Sequence, residues 1–415
     1  MRYPLSIAAL VLLSCARVPS PQDNPLMNTV PSRAVAVMQF PHMEKALGFV
    51  FDSTSVFRKL DYGRLGDSGM VLSYGYGAGL IPLLAFDAGR AGADTSSAVR
   101  KILSQAEELK LHAFYTGAML PKRSAVLLSP SRAAVDEAVG HIESGVSVLD
   151  APNFRDALSL ADAPCGSLML KNGSALRWLP SSFSADGVDR RSLIRFTNGV
   201  SEWTILNFSE LSRKEIGVRL YDGGQKKYLS SHFGPLPAGD CRLQSALPDN
   251  ASFVVDLPLK EWKRYLDSWK ECLDARENLV KYKARLAALK KSTGNNPETW
   301  LAEVNPAEIA LVRWNGREVL LVRRSRKSRS SELSANPFRG FVPALFGNVF
   351  SLADDSFMAS RGVWTVFGSG EDVAAWLDAD KPGNVPGLPK KAKCFVINNG
   401  FGLTADSGNI VLNVN

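Results

Sequence analysis

The feature that most constrains the fold of this chain is a pattern that occurs twice. The first copy is Val30–Leu47 (VPSRAVAVMQFPHMEKAL) and the second is Leu247–Leu266 (LPDNASFVVDLPLKEWKRYL). Pro31 corresponds to Pro248, an offset of 248 − 31 = 217. In each copy an apolar run lies between two prolines, which is typical of a buried strand, although a buried helix has the same signature. The second proline is well placed to begin a helix. The pattern predicts two related units.

Later segments of the chain also match in pairs, in the same order. They are Met70–Leu84 with Glu308–Val322, Arg123–Val135 with Arg361–Val373, and Ser167–Gly173 with Cys394–Gly400. The first two pairs share one offset, since 308 − 70 and 361 − 123 are both 238. This offset is 21 residues larger than the offset of 217 between Pro31 and Pro248. In that interval the second copy has a charged segment from Leu259 to about Lys291. We interpret the insertion as a helix lengthened by about six turns.

These matches predict an α+β fold of two tandem related units, with mainly antiparallel sheets and helices packed on one face. Unit one is predicted to span 30–221 and to close with a β-meander, and a Gly- and Pro-rich linker to span 222–246. Unit two is predicted to span 247–415 and to contain the long inserted helix. The meander has no evident full partner in unit two. Either unit two is shorter, or its sheet is completed by another chain.

The first residues have the features of an export signal. Met1-Arg2 is positively charged, Leu5–Leu13 is a short apolar run, and Ser14 precedes Cys15. The run is too short to span a bilayer and is typical of a signal peptide over 1–14. The segment Leu12–Cys15 resembles a bacterial lipobox, which implies lipidation of Cys15. The alternative is an ordinary secretory signal with a cysteine there by chance.

The sequence after Cys15 indicates how the mature protein is attached. Residues 15–29 are rich in Pro, Asn and Ser without periodicity, as in a tether. Multiple acyl chains on Cys15 would anchor the protein stably to a membrane. Acidic residues after the cysteine are typical of surface export in some Gram-negative groups, and Ala16–Pro19 lacks them. We therefore expect an outer-membrane anchor facing the periplasm rather than the cell surface.

Four further cysteines remain in the mature chain, and none has C-x-x-C spacing. They are Cys165, Cys241, Cys272 and Cys394. An exported protein can form disulfides, so Cys165 and Cys241 could pair. Buried free thiols are the favoured interpretation because free cysteine is among the most buried residue types.

We find no catalytic motif, no metal-ligand spacing among the four histidines, and no nucleotide-binding loop, so no catalytic residue, metal or cofactor is predicted. The whole chain has a net charge of +8, and its most concentrated positive charge is one cluster. It follows a predicted strand and consists of Arg323, Arg324, Arg326, Lys327 and Arg329. Such a cluster can contact anionic lipid headgroups, or it is a solvated loop. Nucleic acid is not an expected partner of an exported protein.

The mature chain resembles an uncharacterised family of Bacteroidota lipoproteins. The resemblance is carried by the lipobox, the V/L-P-x-x-A openings at Val30 and Leu247, and the segments Ser129–Ser131 and Ser147–Phe154. It implies a lipid-anchored location and a duplicated α+β fold, and it brings no assigned activity.

Three functions are consistent with these features. The first is a non-enzymatic, membrane-anchored periplasmic protein that binds or scaffolds another envelope component through its sheets or long helix. The second is a carrier of a small ligand or lipid with its site between the two units, because pockets favour domain interfaces. The third is a hydrolase with an unrecognised site. The identity of a small-molecule ligand is not predicted.

Overall fold

A computed structural model of the chain describes residues 24–76, 80–89, 95–117, 120, 123–172, 199–211, 215–327, 331–379, 388–398, 401–405 and 410–414. The chain divides into two compact units, and each contributes its own antiparallel strands. Unit one holds the described residues up to Gly223 except Gly199–Ser201, which belong to unit two together with everything from Gly224 onward. Most of the predicted linker over 222–246 is therefore part of unit two. Residues 1–23, which include Cys15, lie outside the described residues.

Unit one is built on an eight-stranded antiparallel sheet. Its elements are β1 (Ala36–Phe40), α1 (Met43–Val50), β2 (Met70–Tyr76), β3 (Leu80–Gly89), α2 (Thr95–Glu108), β4 (His112–Tyr115), β5 (Ser124–Ser129), α3 (Arg132–Ser144), α4 (Phe154–Leu158), β6 (Ser167–Lys171), β7 (Trp203–Phe208) and β8 (Glu215–Tyr221). The strands pair in the order β4-β5-β3-β2-β1-β6-β7-β8. The consecutive pairing of β6, β7 and β8 confirms the predicted meander for these strands.

Unit two is built on a nine-stranded antiparallel sheet. Its elements are α5 (Leu229–Phe233), β9 (Gly239–Asp240), β10 (Ala251–Pro258), α6 (Trp262–Ala275), α7 (Leu279–Thr293), α8 (Pro297–Val304), β11 (Pro306–Trp314), β12 (Arg317–Arg324), β13 (Ser331–Ala335), α9 (Phe341–Phe346), β14 (Phe357–Arg361), β15 (Trp364–Gly368), α10 (Gly370–Asp378), β16 (Lys391–Ala392), β17 (Cys394–Asn398), β18 (Phe401–Ala405) and β19 (Ile410–Val414). The strand order is β13-β14-β15-β12-β11-β10-β17-β18-β19, while β9 and β16 form a separate short ladder.

Eight strands follow the same order in the two units, from the β4-β5 or β14-β15 hairpin to the meander, and unit two has β13 as an additional edge strand. The chain is therefore an α+β protein with mainly antiparallel sheets, and the tandem duplication stays a prediction. Strands β17, β18 and β19 correspond to β6, β7 and β8. Unit two thus has its own meander, and the expectation that it lacks one was wrong. The short length of these strands and their polar ends, such as Asn398 and Asn413, hid them in the sequence.

The register of the two sheets differs from the offset of 238 by one residue. Val37 pairs with Ser73 in unit one, and Val254 pairs with Val312 in unit two. Val37 and Val254 are equivalent at the offset of 217, because 254 − 37 = 217. Their partners on the next strand, Ser73 and Val312, are then equivalent at an offset of 312 − 73 = 239. A one-residue shift sends every side chain of a strand to the opposite face. An alignment of β2 with β11 at the sequence offset of 238 therefore pairs residues that lie on opposite faces of their sheets.

Helices cover both faces of the unit-two sheet. Leu257, Leu311 and Val322 face a core formed with α6, α7, α8 and α9. Val254 and Val366 lie on the opposite face and pack against α10. The prediction had placed helices on one face only. Strands β11 and β15 are buried along nearly their whole length, and such continuous burial requires cover on both faces.

The predicted long helix is two helices, α6 and α7, followed by α8. The break lies at Glu277, whose φ of +58° is incompatible with a continuing helix. The Arg276 side chain donates hydrogen bonds to the backbone oxygens of Lys227 and Gly199, which fixes the turn. Neither glycine nor proline marks this break, so the apolar periodicity ran through it.

Candidate functional site

Two carboxylates lie side by side in the interior of unit two. Asp256 is on β10 and Glu308 is on β11, and neither is exposed to solvent. In the register of these strands Asp256 is opposite Ala310 and Glu308 is opposite Pro258. The two acidic residues therefore occupy diagonal positions on one face of the sheet, the face that α10 also covers.

Glu308 has hydrogen-bond donors on both sides. Its carboxylate accepts bonds from the backbone N–H of Arg242 (2.9 Å) and of Leu243 (3.1 Å). The guanidinium of Arg323 donates through Nε at 2.7 Å and forms an ion pair. A carboxylate with this many donors is stable in the charged form even when it is buried. Burial raises the pKa of Glu308, and the bonds from Arg242 and Arg323 oppose that shift, so Glu308 is the member of the acidic pair whose charged form is better stabilised.

Asp256 has a different environment. Its two carboxyl oxygens are buried without a well-formed hydrogen bond from the described residues, and the backbone N–H of Leu257 and the charge of Arg323 favour its ionised form only to a small extent. Burial raises the pKa of Asp256 well above its usual value, and the negative charge of Glu308 raises that pKa further. A carboxyl group in this position keeps its proton and donates it to the neighbouring carboxylate. We conclude that Asp256 and Glu308 share one proton and titrate as a pair.

The cysteines near this pair are poor nucleophiles. Burial raises the pKa of Cys394 to about 12. Burial also raises the pKa of Cys241, and the charge of Glu308 adds to the effect. The nucleophile and metal ligand of cysteine is the thiolate, which these environments disfavour. Among the described residues no group of three His, Cys, Asp or Glu side chains has the geometry of a metal site.

The structure separates the predicted basic cluster into two parts. Arg323 faces inward onto Glu308 and also donates to the backbone oxygen of Asp240. Its guanidinium is therefore not available to a lipid headgroup. Arg324 is partly buried at the end of β12, while Arg326 and Lys327 are exposed. Arg329 and the lipidation candidate Cys15 lie outside the described residues.

Free thiols are found at Cys165, Cys241, Cys272 and Cys394, which agrees with the interpretation favoured from the sequence. Cys165 donates a hydrogen bond from Sγ to the Ser209 backbone oxygen. Cys272 is buried.

Sequence reasoning missed the acidic pair because its members are 308 − 256 = 52 residues apart and belong to different strands. A signal was present, since each is a lone charge inside an apolar run, ASFVVDLP and PAEIALV. An acidic residue at an interior strand position is rarely buried without a partner. Only the strand register shows which residue is that partner.

Comparison of the chain with protein-family models, with curated proteins and with solved structures found no match. Among the described helices, none combines the length and the apolar character that crossing a membrane requires.

The shared proton predicts how Asp256 affects stability. Because the pKa of Asp256 is raised by folding, the native state binds the extra proton above about pH 4, and stability falls as the pH rises through the folded pKa. Asp256→Asn retains the shape of the protonated carboxyl group without its titration. We expect the variant to gain stability over the wild type as the pH increases from 5 to 9, measured by urea unfolding. The exposed Asp267→Asn on α6 is the control, and an unchanged pH dependence in Asp256→Asn would contradict the shared proton.

Proposed function

We propose that this protein is a lipid-anchored protein of the cell envelope that binds another envelope protein along strand β13. The proposal combines the export and lipidation signal at Cys15 with one feature of unit two. All five residues of β13 are exposed. In the described part of the chain β13 pairs with β14 on one side only, so its other edge is open.

An open edge of this kind is a natural docking site. An edge strand presents unpaired backbone N–H and C=O groups, and proteins usually protect it with charges, prolines or bulges. In β13 the only charged residue is Glu332. Leu333 is 41% exposed, and Phe357 on the neighbouring strand is 37% exposed. Phe357 is opposite Ala335, and Leu333 lies where the β13–β14 pairing shifts register between Ser331 and Ser334. An extended segment of the partner would add a strand here and cover both apolar side chains.

A basic surface supports a position at an anionic membrane. Helix α7 contains five cationic residues and no acidic residue, and all five are exposed: Lys281, Lys283, Arg285, Lys290 and Lys291. Together with Arg326 and Lys327 they provide charges that each contribute about 1 kcal/mol near an anionic surface. We propose periplasm-facing attachment to the outer membrane, with the headgroup contact made by these exposed cations and not by Arg323.

The test is site-specific crosslinking in intact cells. A photoreactive phenylalanine analogue at Leu333 is expected to capture one protein in near-stoichiometric amount. The same analogue at Val146, which is 45% exposed in unit one, is the control for non-specific capture. Leu333→Lys, with the analogue moved to Ser334, is expected to abolish the crosslink because charges on an edge strand oppose pairing. Equal capture from Leu333 and Val146, or capture that survives Leu333→Lys, would rule out the β13 edge.

A second candidate function is that of a small-ligand carrier. It is supported by a cavity that lies within unit one, whereas the sequence had suggested a site between the units. This candidate function does not depend on the β13 proposal.

A further inference from the structure

Unit one has a cavity of about 220 Å³ at the end of strand β1. This is roughly the volume of seven water molecules in the liquid. Its walls are mainly apolar and are formed by Pro25, Leu26, Phe40, Pro41 and Pro164. Such a cavity is large enough for one apolar side chain with a small polar group attached.

The polar group that distinguishes this cavity is the side chain of Gln39. Gln39 lines the cavity and is only 8% exposed. No protein group in the described part of unit one hydrogen-bonds its amide, which has two donors and an acceptor to satisfy. Gln39 is not among the described residues that bury a side-chain polar atom without a hydrogen-bond partner, so its amide is open to the cavity and to water there. An amide at this depth is therefore suited to recognise a ligand group that can both accept and donate.

The charged residues at the cavity balance each other. Arg123 donates from Nη1 to Oδ2 of Asp87 at 2.7 Å, and Asp87 also accepts a bond from the backbone N–H of Gly89. A ligand carboxylate near Arg123 would also meet the negative charge of Asp87. This arrangement favours an uncharged ligand.

Unit two has a side chain where unit one has space. In the matched register Gln39 corresponds to Asp256 (offset 217) and Gly69 corresponds to Glu308 (offset 239). The Glu308 side chain fills its position in unit two and is bound there by backbone N–H groups. Gly69 has no side chain, and it lines the cavity. The same corner of the sheet thus carries an internal polar group in unit two and is open in unit one.

Gly166 keeps the cavity wall close to β1. Its φ is +130°, and a Cβ there would lie 2.6 Å from the Gln39 backbone oxygen and would also collide with the Phe40 ring. Only glycine permits this approach. The wall is consequently fixed by backbone and not by a mobile side chain, as expected for a preformed site.

We infer that this cavity binds a small, uncharged, apolar molecule that carries a carboxamide, such as an N-acylated amino-acid amide or the equivalent part of a peptide. The ligand amide pairs with the Gln39 side chain, and its apolar part contacts Phe40 and the prolines. Arg123 and Asp87 border the opening without adding a net charge. The inference is independent of the partner proposed for β13.

The test is equilibrium dialysis of labelled N-acetylleucinamide against the full chain. We expect saturable binding that Gln39→Met weakens about tenfold, because it removes the paired hydrogen bonds and keeps the volume. Gly69→Leu fills the cavity and is expected to abolish binding. The matched control is Gly48→Leu. Gly48 lines a separate, more polar depression of about 320 Å³ in the same unit, and a Cβ added there would meet no neighbouring atom within 4 Å.

The outcomes are decisive in both directions. Absence of saturable binding to the wild type, or equal binding to the wild type and Gln39→Met, overturns the inference. A loss in Gly48→Leu equal to that in Gly69→Leu does the same. Tighter binding of the anion N-acetylleucine than of its amide overturns the assignment of an uncharged ligand. Thermal unfolding of each variant shows whether it is folded. If Gly69→Leu does not fold, the comparison of the wild type with Gln39→Met, whose side chains have similar volumes, is the test of the inference.

Discussion

Arg323→Met is expected to destabilise unit two by about 3–5 kcal/mol, the usual cost of removing one partner of a buried ion pair. The guanidinium is the only cationic group bonded to Glu308 among the described residues, and the Glu308 side chain is fully buried. Methionine retains much of the volume of the arginine stem, so the loss comes from the uncompensated charge. The measurement is urea unfolding followed by tryptophan fluorescence.

Fluorescence is well suited to this measurement because six of the eight tryptophans belong to unit two. They are Trp262, Trp269, Trp300, Trp314, Trp364 and Trp376. The signal therefore reports mainly the unfolding of the unit that carries the substitution. This matters because a protein of two units need not unfold in a single step.

Two further variants separate charge from packing. Arg313→Met removes a guanidinium from the same sheet, where it is half exposed and pairs with Glu318 at 2.6 Å. Exposed pairs contribute about 0–1 kcal/mol, so this control should change stability little. The double variant Arg323→Met with Glu308→Gln keeps an acceptor for the N–H groups of Arg242 and Leu243 and removes the buried charge. It should recover most of the loss. If the double variant is as unstable as Arg323→Met alone, packing and not charge is responsible.

The sequence predicted those parts of the fold that depend on local pattern. The apolar runs after Pro31 and Pro248 are strands β1 and β10. Asn315-Gly316 forms the tight turn between β11 and β12, with both residues at positive φ, as this dipeptide requires. Local backbone preference decides such features, so they could be read without knowledge of the tertiary structure.

The candidate site depends on long-range register, which the sequence pattern did not specify. Arg323 and Arg324 are neighbours in a basic run, yet strand alternation turns Arg323 toward Glu308. The same alternation brings Asp256 next to Glu308 across 52 residues. Gln39 is a single polar residue in an apolar strand, and its importance depends on a cavity formed by six separate segments. Each of these relations is set by packing between distant parts of the chain.

The titration of His232 is expected to destabilise unit two by about 3 kcal/mol as the pH falls from 7 to 4. The ring is 1% exposed and packs against Phe233, Tyr265 and Trp269. Burial lowers the pKa of His232 to about 4, and the charge of Arg276 contributes. The folded state therefore holds the neutral imidazole. Its stability is fully present above the unfolded pKa of about 6.5 and is lost as the pH falls toward the folded pKa.

The variant His232→Asn tests this linkage. Its amide can replace Nδ1 in the hydrogen bond to Ser268 Oγ, which is 2.9 Å long, but it does not titrate. We expect lower stability than the wild type at pH 7, because the ring contacts are lost, and a flatter curve between pH 7 and 4. The exposed His112→Asn in unit one is the control and should leave the acid limb unchanged. If the stability of His232→Asn falls between pH 7 and 4 as steeply as that of the wild type, groups other than His232 cause the loss of stability in acid.

The acidic pair and His232 act on the same unit with opposite sign. The raised pKa of Asp256 makes unit two lose stability as the pH rises, and the lowered pKa of His232 makes it lose stability as the pH falls. A double variant, Asp256→Asn with His232→Asn, should therefore have a broad and nearly level pH profile. The two residues have no described contact, so their effects should add. Non-additive profiles would indicate that the two groups titrate together through the core of unit two.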